Sequence, residues 1–273
     1  MRGSKTLNIA VLQTGELALE SARLDYLLTH AKRRGAKIAV LPEYVCNLFF
    51  KELAAAPIAF VKEQGDRQYH YLARLSKIYK ITIISPLIRV IGGKVFKSVY
   101  RFTNERAWRF DQQILIGYPH WNEAAFFANA QNKLPAPRVF RVEGFKIALI
   151  FGYELHFDLV WHKIVQSGAD VVIAPSIGTF ESLYRWQRLC MSRAFTGGCY
   201  LIRANRIGEY KGKDEPWNFY GNSLVCTPFG EIENSLEERE GILDIVVERD
   251  EIRAARQAFG FSRIAKLLDA PSL

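Results

Sequence analysis

Apolar, β-branched runs that alternate with stretches of helical periodicity, with several hairpin turns between them, predict an α/β protein: a mixed sheet or a two-sheet sandwich covered by helices. Runs such as "LNIAVLQ" and "ADVVIAPS" read as buried strands. Between such runs, leucines and aromatics recur every three or four positions, which lines up one apolar helix face.

The elements follow in order. Leu7 to Gln13 forms a first strand, and Leu24, Leu27, Leu28 and Ala31 mark a helix that Gly35 ends as a C-cap. "AKIAVLPEY" is a second buried strand; Pro42 lacks an N–H, stops the ladder and leaves Glu43 at the strand's carboxyl end. A helix carrying Tyr69, Leu72, Leu75 and Tyr79 precedes "ITIISPLIRV", a "GGK" turn and the hairpin partner "VFKSVYRF". "FKIALIF" is a strand, 158–167 a helix, "ADVVIAPS" a strand, 184–195 a helix and "CYLIRANR" a strand. Short strands at "GNSLVCT" and "GILDIVV" and a helix over 250–258 complete the chain. The irregular stretch 117–137 is expected to be a functional loop with a short helix around Glu123. One domain over 1–273 is the economical reading, and the opening "MRGS" is given no structural role.

Composition narrows the function classes. The chain is 49% hydrophobic and 24% charged, which fits a soluble folded protein. Its longest apolar runs, such as "ITIISPLI", fall short of the roughly 20 residues that span a bilayer, so no membrane role and a cytoplasmic location are expected. The formal charge of +9 raises nucleic-acid binding, but the basic residues are dispersed or sit at helix ends, so no nucleic-acid partner is expected. The four cysteines show no CxxC spacing and the five histidines no HExxH; buried reduced thiols and no metal site are expected.

Strand carboxyl ends collect active-site residues in α/β proteins. Here they carry Glu43, Gly152 with Tyr153, Ser176, and Asn205 with Arg206. Glu43 is the one candidate general base among them, and partial desolvation there raises a carboxyl pKa toward a useful range. A helix cap or structural ion pair is the competing role for Glu43. For Gly152 the competing role is a tight turn or close backbone approach.

Five ordered blocks resemble the carbon–nitrogen hydrolase family, the nitrilase superfamily: "AVLPEY", "FKIALIFGYELHFD", "GADVVIAPS", "WQRLCMSRAFTGGCYLIRANRIG" and "YGNSLVCTPFGEI". The resemblance implies a four-layer αββα sandwich of two mixed sheets flanked by helices, assembled as a homodimer or larger homo-oligomer. It also implies hydrolysis of non-peptide amides, carbamoyl amines or nitriles without metal or organic cofactor. In that chemistry a glutamate serves a cysteine nucleophile and a lysine steadies the oxyanion, with a second glutamate often positioning the site.

Carried over by position, the base falls on Glu43 and the second glutamate on Glu123, with Tyr153 and Ser176 as further substrate contacts. The nucleophile falls on Gly152, which has no side chain. Spacing from "KSVY" puts Gln113 at the lysine's place, with Arg109 or Gln112 as stand-ins. Glu43 and Glu123 are alternatively buried acids paired with Arg193 or Arg206, Trp186 and Phe195 are read as core, and His156 and Asp158 as a surface pair. Loss of nucleophile and lysine together favours natural divergence over an engineered Cys→Gly change. The expected protein binds a small amide-, carbamoyl- or amine-like molecule and has lost or much weakened Cys-dependent hydrolysis. The alternative is an active amidase or carbamoyl amine hydrolase acting through water activated by Glu43, or a chain from which the cysteine was removed by design.

Overall fold

The computed structural model describes residues 5–17, 21–130, 137–212 and 216–267. The first half supplies β1 (Thr6–Gln13), α1 (Ser21–Arg33), β2 (Ile38–Val40), α2 (Phe50–Ala55), α3 (Ile58–Tyr79), β3 (Thr82–Ile91), β4 (Lys94–Phe102) and β5 (Ala107–Asp111). A small hairpin, β6 (Gly117–Tyr118) and β7 (Trp121–Asn122), leads to a 3₁₀ turn at Glu123–Ala125. Then come β8 (Arg138–Val142), β9 (Phe145–Leu149), a second 3₁₀ turn (Gly152–His156), α4 (Asp158–Ser167), β10 (Val171–Ser176), α5 (Leu183–Gly197) and β11 (Tyr200–Asn205). The hairpin β12 (Ile207–Tyr210) and β13 (Trp217–Tyr220) precedes β14 (Leu224–Cys226), β15 (Ile232–Ser235), β16 (Gly241–Glu248), α6 (Arg249–Phe259) and α7 (Phe261–Leu267).

Two six-stranded mixed sheets result, in the orders β16-β1-β2-β3-β4-β5 and β15-β14-β11-β10-β9-β8. The alternation of side chains along each strand sorts them into three layers of core. Ile9, Val11, Ile84 and Val99 meet Ile147, Leu149, Ile173 and Ile202 between the sheets. Ala10, Leu12, Ile83 and Phe102 face Leu24, Leu28, Leu72 and Leu75 of α1 and α3. Ala148, Val172 and Leu201 face Trp161 and Ile164 of α4 and Cys190 and Ala194 of α5. Strands buried on both sides explain the unbroken apolar runs, and the order of layers is the expected αββα sandwich.

Helix ends follow the local chemistry. α4 and α5 stop at Gly168 and Gly198, both left-handed at φ 66° and 54°. Among the described residues, no helix is long and apolar enough to cross a membrane. The stretch read as one loop from 117 to 137 contains the β6–β7 hairpin and the turn at Glu123; residues 131–136 of it, like the opening "MRGS", lie outside the described residues.

Candidate active site

Glu43 lies where the two sheets meet at their carboxyl ends. After β2, Leu41 still donates to Ile84 O at 2.8 Å, Pro42 has no N–H to give, and Glu43 N turns to Ser176 O of the other sheet at 3.2 Å. The next residue, Tyr44, takes φ 55°, a left-handed conformation costly for an aromatic residue. It is held there by its ring against Phe49, by its carbonyl accepting from Arg206 Nη1 at 2.6 Å, and by its hydroxyl donating to Glu123.

Lys97 completes the cluster. Its Nζ is 2.5 Å from Glu43 Oε2 and 2.6 Å from Glu123 Oε1, and all three side chains are buried. Glu123 also accepts from Trp121 Nε1 at 3.3 Å and Ile116 N at 3.4 Å. Burial removes water from Glu43 and outweighs the lowering effect of Lys97, so its carboxyl is raised to about 7. For Lys97, burial works against the charge, but Glu123 and Glu43 prevail and hold its ammonium above the usual range. One cation among two carboxylates is neutral when one carboxyl keeps its proton, and Glu43 is the group so placed.

The ammonium beside the two glutamates is thus that of Lys97, and the structure does not bring the Gln113 side chain to them. Gln113 N donates to Glu154 Oε1 at 2.5 Å, and its side-chain oxygen has no partner. Gln112 turns its amide to Ile114 O, and Arg109 pairs with Asp111 in an exposed contact. Nor do Arg193 and Arg206 neutralise the two glutamates: Arg193 pairs with Asp158 at 2.6 Å, and Arg206 serves Tyr44 O. Lys97 was passed over because it sits inside "VFKSVYRF" as an ordinary strand residue. The signal was parity: Val99, two positions on and hence on the same face, faces the core between the sheets.

Gly152 opens the 3₁₀ turn after β9 and is buried. In the parallel β9–β10 ladder Ile147 is opposite Val171 and Leu149 opposite Ile173, and the same offset continued brings Gly152 beside Ser176. A Cβ on Gly152 would overlap Ser176 Oγ and come within 2.8 Å of Ser176 Cβ, closer than real side chains approach. Ser176, 1% exposed, donates to Ala174 O at 3.0 Å. Glu154 fixes the turn by accepting from Phe151 N at 2.9 Å and from the Gln113 and Ile114 amides.

A half-open cavity of about 480 Å³ borders this cluster through Trp121 and Ile116, both of which donate to Glu123. Tyr153 and Ile177 line it as well, together with Tyr118, Phe180 and Trp186. Trp186, read as core, packs against the α4–α5 layer and also lines this space; Phe195 packs on Phe259 and Phe261. His156 Nδ1 donates to Tyr153 O at 3.0 Å and its ring stands edge-on to Trp186, while Asp158 begins α4. No carboxylate from the described residues lines the cavity.

All four cysteines are free and buried. Burial pushes the Cys46 and Cys190 thiols up to about 11 and Cys199 to about 12. Cys46, three residues beyond Glu43, accepts a weak bond from Ser85 at 3.6 Å and faces away from Gly152 into the α1–α3 layer. Among the described residues no group of three His, Cys, Asp or Glu could hold a metal ion.

The model of the carbon–nitrogen hydrolase family matches residues 8–257. A Staphylococcus lugdunensis protein named "Hydrolase in agr operon" is 25% identical over 225 residues, covering 81% of this chain and 91% of that one. The deaminated glutathione amidase of Rattus norvegicus is 31% identical over 98 residues, 36% of this chain and 29% of the amidase. In fold, the carbon–nitrogen hydrolase of Helicobacter pylori G27 superposes with a TM-score of 0.82 over 94% of each chain at 18% identity. An amidase from Nesterenkonia sp. AN1, solved as variants in complex with acrylamide and with butyramide, gives TM-scores of 0.78 and 0.75 at 20% identity, over 94% and 95% of this chain and 97% of the amidase in both.

Proposed function

The chain belongs to the carbon–nitrogen hydrolase family, and within it we propose a member whose Cys-dependent hydrolysis is lost or strongly weakened and whose pocket still binds a small amide-, carbamoyl- or amine-like molecule. The observation that carries this reading is the pairing of Gly152 with Ser176: at the expected nucleophile position there is no side chain, and the serine fills the space where one would start. The acid–base half of the site is kept, since Lys97 bridges Glu43 and Glu123. On this reading divergence falls on the nucleophile, while a lysine still serves the two glutamates.

The binding role draws on the cavity lined by Tyr153, on the burial of Glu43, Lys97 and Glu123 beside it, and on the acrylamide and butyramide held by the Nesterenkonia amidase variants. The reading extends to a single domain, a cytoplasmic location and a homodimer or larger homo-oligomer; light scattering after size-exclusion chromatography tests the last.

One observation favours a second reading, slow hydrolysis through a water molecule. A carboxyl near 7 is suited to take a proton at neutral pH, and a positioned general base contributes about 10² to 10⁴ in rate. Loss of a nucleophile costs on the order of a millionfold, so such turnover is confined to reactive substrates. Assay of amides, carbamoyl amines and nitriles separates the two: no turnover with calorimetric binding of butyramide supports the first, whereas turnover abolished by Glu43→Gln supports the second.

A further inference from the structure

Arg203 is the largest fully buried side chain described and, unlike Lys97, has no carboxylate within ion-pair distance among the described residues. It projects from β11, where Ala174 and Leu224 flank it in the ladders. Its guanidinium carries five N–H donors. Nη1 reaches Asn222 O at 3.5 Å and Nη2 reaches the Tyr220 hydroxyl at 3.4 Å, both at the limit of a bond, and Nε has no partner. Taking a cation out of water with so little return is costly, and folded proteins keep such a group where an anion answers it.

The group borders the cavity described above. Trp186 lies over it with 4.5 Å from guanidinium to ring centroid, and Trp186 lines the cavity. Gly178 lines it too, and a Cβ there would come to 2.5 Å from Arg203 Nη2, so only glycine lets the guanidinium approach this close to the wall. Ser182, another lining residue, is 3.0 Å from the same Tyr220 hydroxyl that Arg203 touches. No acid among the described residues lines the cavity beside the guanidinium.

Resting on the reading of this cavity as the ligand pocket, we propose that Arg203 is its anion-binding residue and that the ligand is an organic carboxylate with a flat apolar body. The planar fork of the guanidinium matches both oxygens of a carboxylate. Tyr118, Tyr153, Phe180 and Trp186 offer ring faces and edges to the remainder. The amide or amine end stays toward Tyr153, and the carboxylate points the other way, past Gly178 and Trp186.

The test is calorimetric titration of the full chain with phenylacetate, its neutral isostere phenylacetamide, and butyramide. Phenylacetate is expected to bind about tenfold or more tightly than phenylacetamide. Arg203→Met removes that preference while leaving phenylacetamide affinity unchanged, and without ligand it melts no lower than the parent, because an unpaired buried charge has gone. If Arg203→Met does not fold, Arg203→Gln serves with the same expected loss of preference. Arg185→Gln keeps the preference to within about threefold, as an exposed charge contributes little. Equal affinity for acid and amide, or a preference that survives loss of Arg203, overturns the inference. Binding of butyramide alone also overturns it and leaves the pocket reading standing; binding of none of the three removes both.

Discussion

Lys97 Nζ lies 2.5 Å from Glu43 Oε2, joining the carboxylate that follows β2 to a lysine of β4, two strands away in the same sheet, in a site with almost no contact with water. An ion pair this deep is weak evidence of net stability, but removing one partner leaves the other charge buried and alone.

Lys97→Met is therefore expected to destabilise by about 3–5 kcal/mol in urea unfolding at neutral pH, with the deficit shrinking in acid as Glu43 protonates. Gln113→Ala, at the position first assigned to the lysine, is expected to change stability much less, because its side chain meets neither glutamate. Equal costs for the two would contradict the cluster.

Stability should fall as pH rises through the window from 4.5 to about 7. Burial raises Glu43 in the folded state, so across that window the folded protein holds a proton the unfolded chain has released, and this contribution is present at low pH and gone above about 7. Glu154 is raised in the same direction, also chiefly by burial, so the parent slope contains both. Glu43→Gln should flatten only its own share. Denaturant titrations at half-unit pH steps on the two proteins measure the difference, and identical slopes would show Glu43 with an ordinary carboxyl.

The thiols should be silent in the native state. With Cys46 and Cys190 at about 11 and Cys199 at about 12, all buried, a chromogenic disulfide reagent is expected to titrate none of the four cysteines until the chain unfolds. A fast-reacting thiol in the folded protein, or turnover blocked by alkylation, would restore a thiol mechanism that the site geometry excludes at Gly152.

Much of the fold was legible because local and tertiary demands agree. The unbroken run of β10 means two buried faces, and Gly168 and Gly198 stop their helices in the left-handed conformation that glycine takes without strain. Glu43 was legible through Pro42, which ends the ladder. Lys97 was not, although it shares the core face of its strand with Val99, because a lysine in a hairpin strand is ordinarily solvated and only the opposing Glu43 and Glu123 justify its burial. The packing of Ser176 against Gly152 depends on the register between β9 and β10, which no periodicity within either strand contains. Arg203 was hidden in the same way: "LIRAN" does not tell which neighbours its guanidinium will lack.

The pairing of Gly152 with Ser176 is tested most directly by putting the thiol back. Gly152→Cys alone is expected to overpack the turn, costing about 1–3 kcal/mol, and to stay slow toward iodoacetamide and inactive on butyramide. Gly152→Cys with Ser176→Gly clears both the hydroxyl and the Cβ that block the position, and with Glu43 and Lys97 in place it is expected to alkylate readily and to release ammonia from butyramide above the parent rate. Ammonia release by the unmodified chain at the rate of that double variant, or by Gly152→Cys without any change at Ser176, would contradict the account.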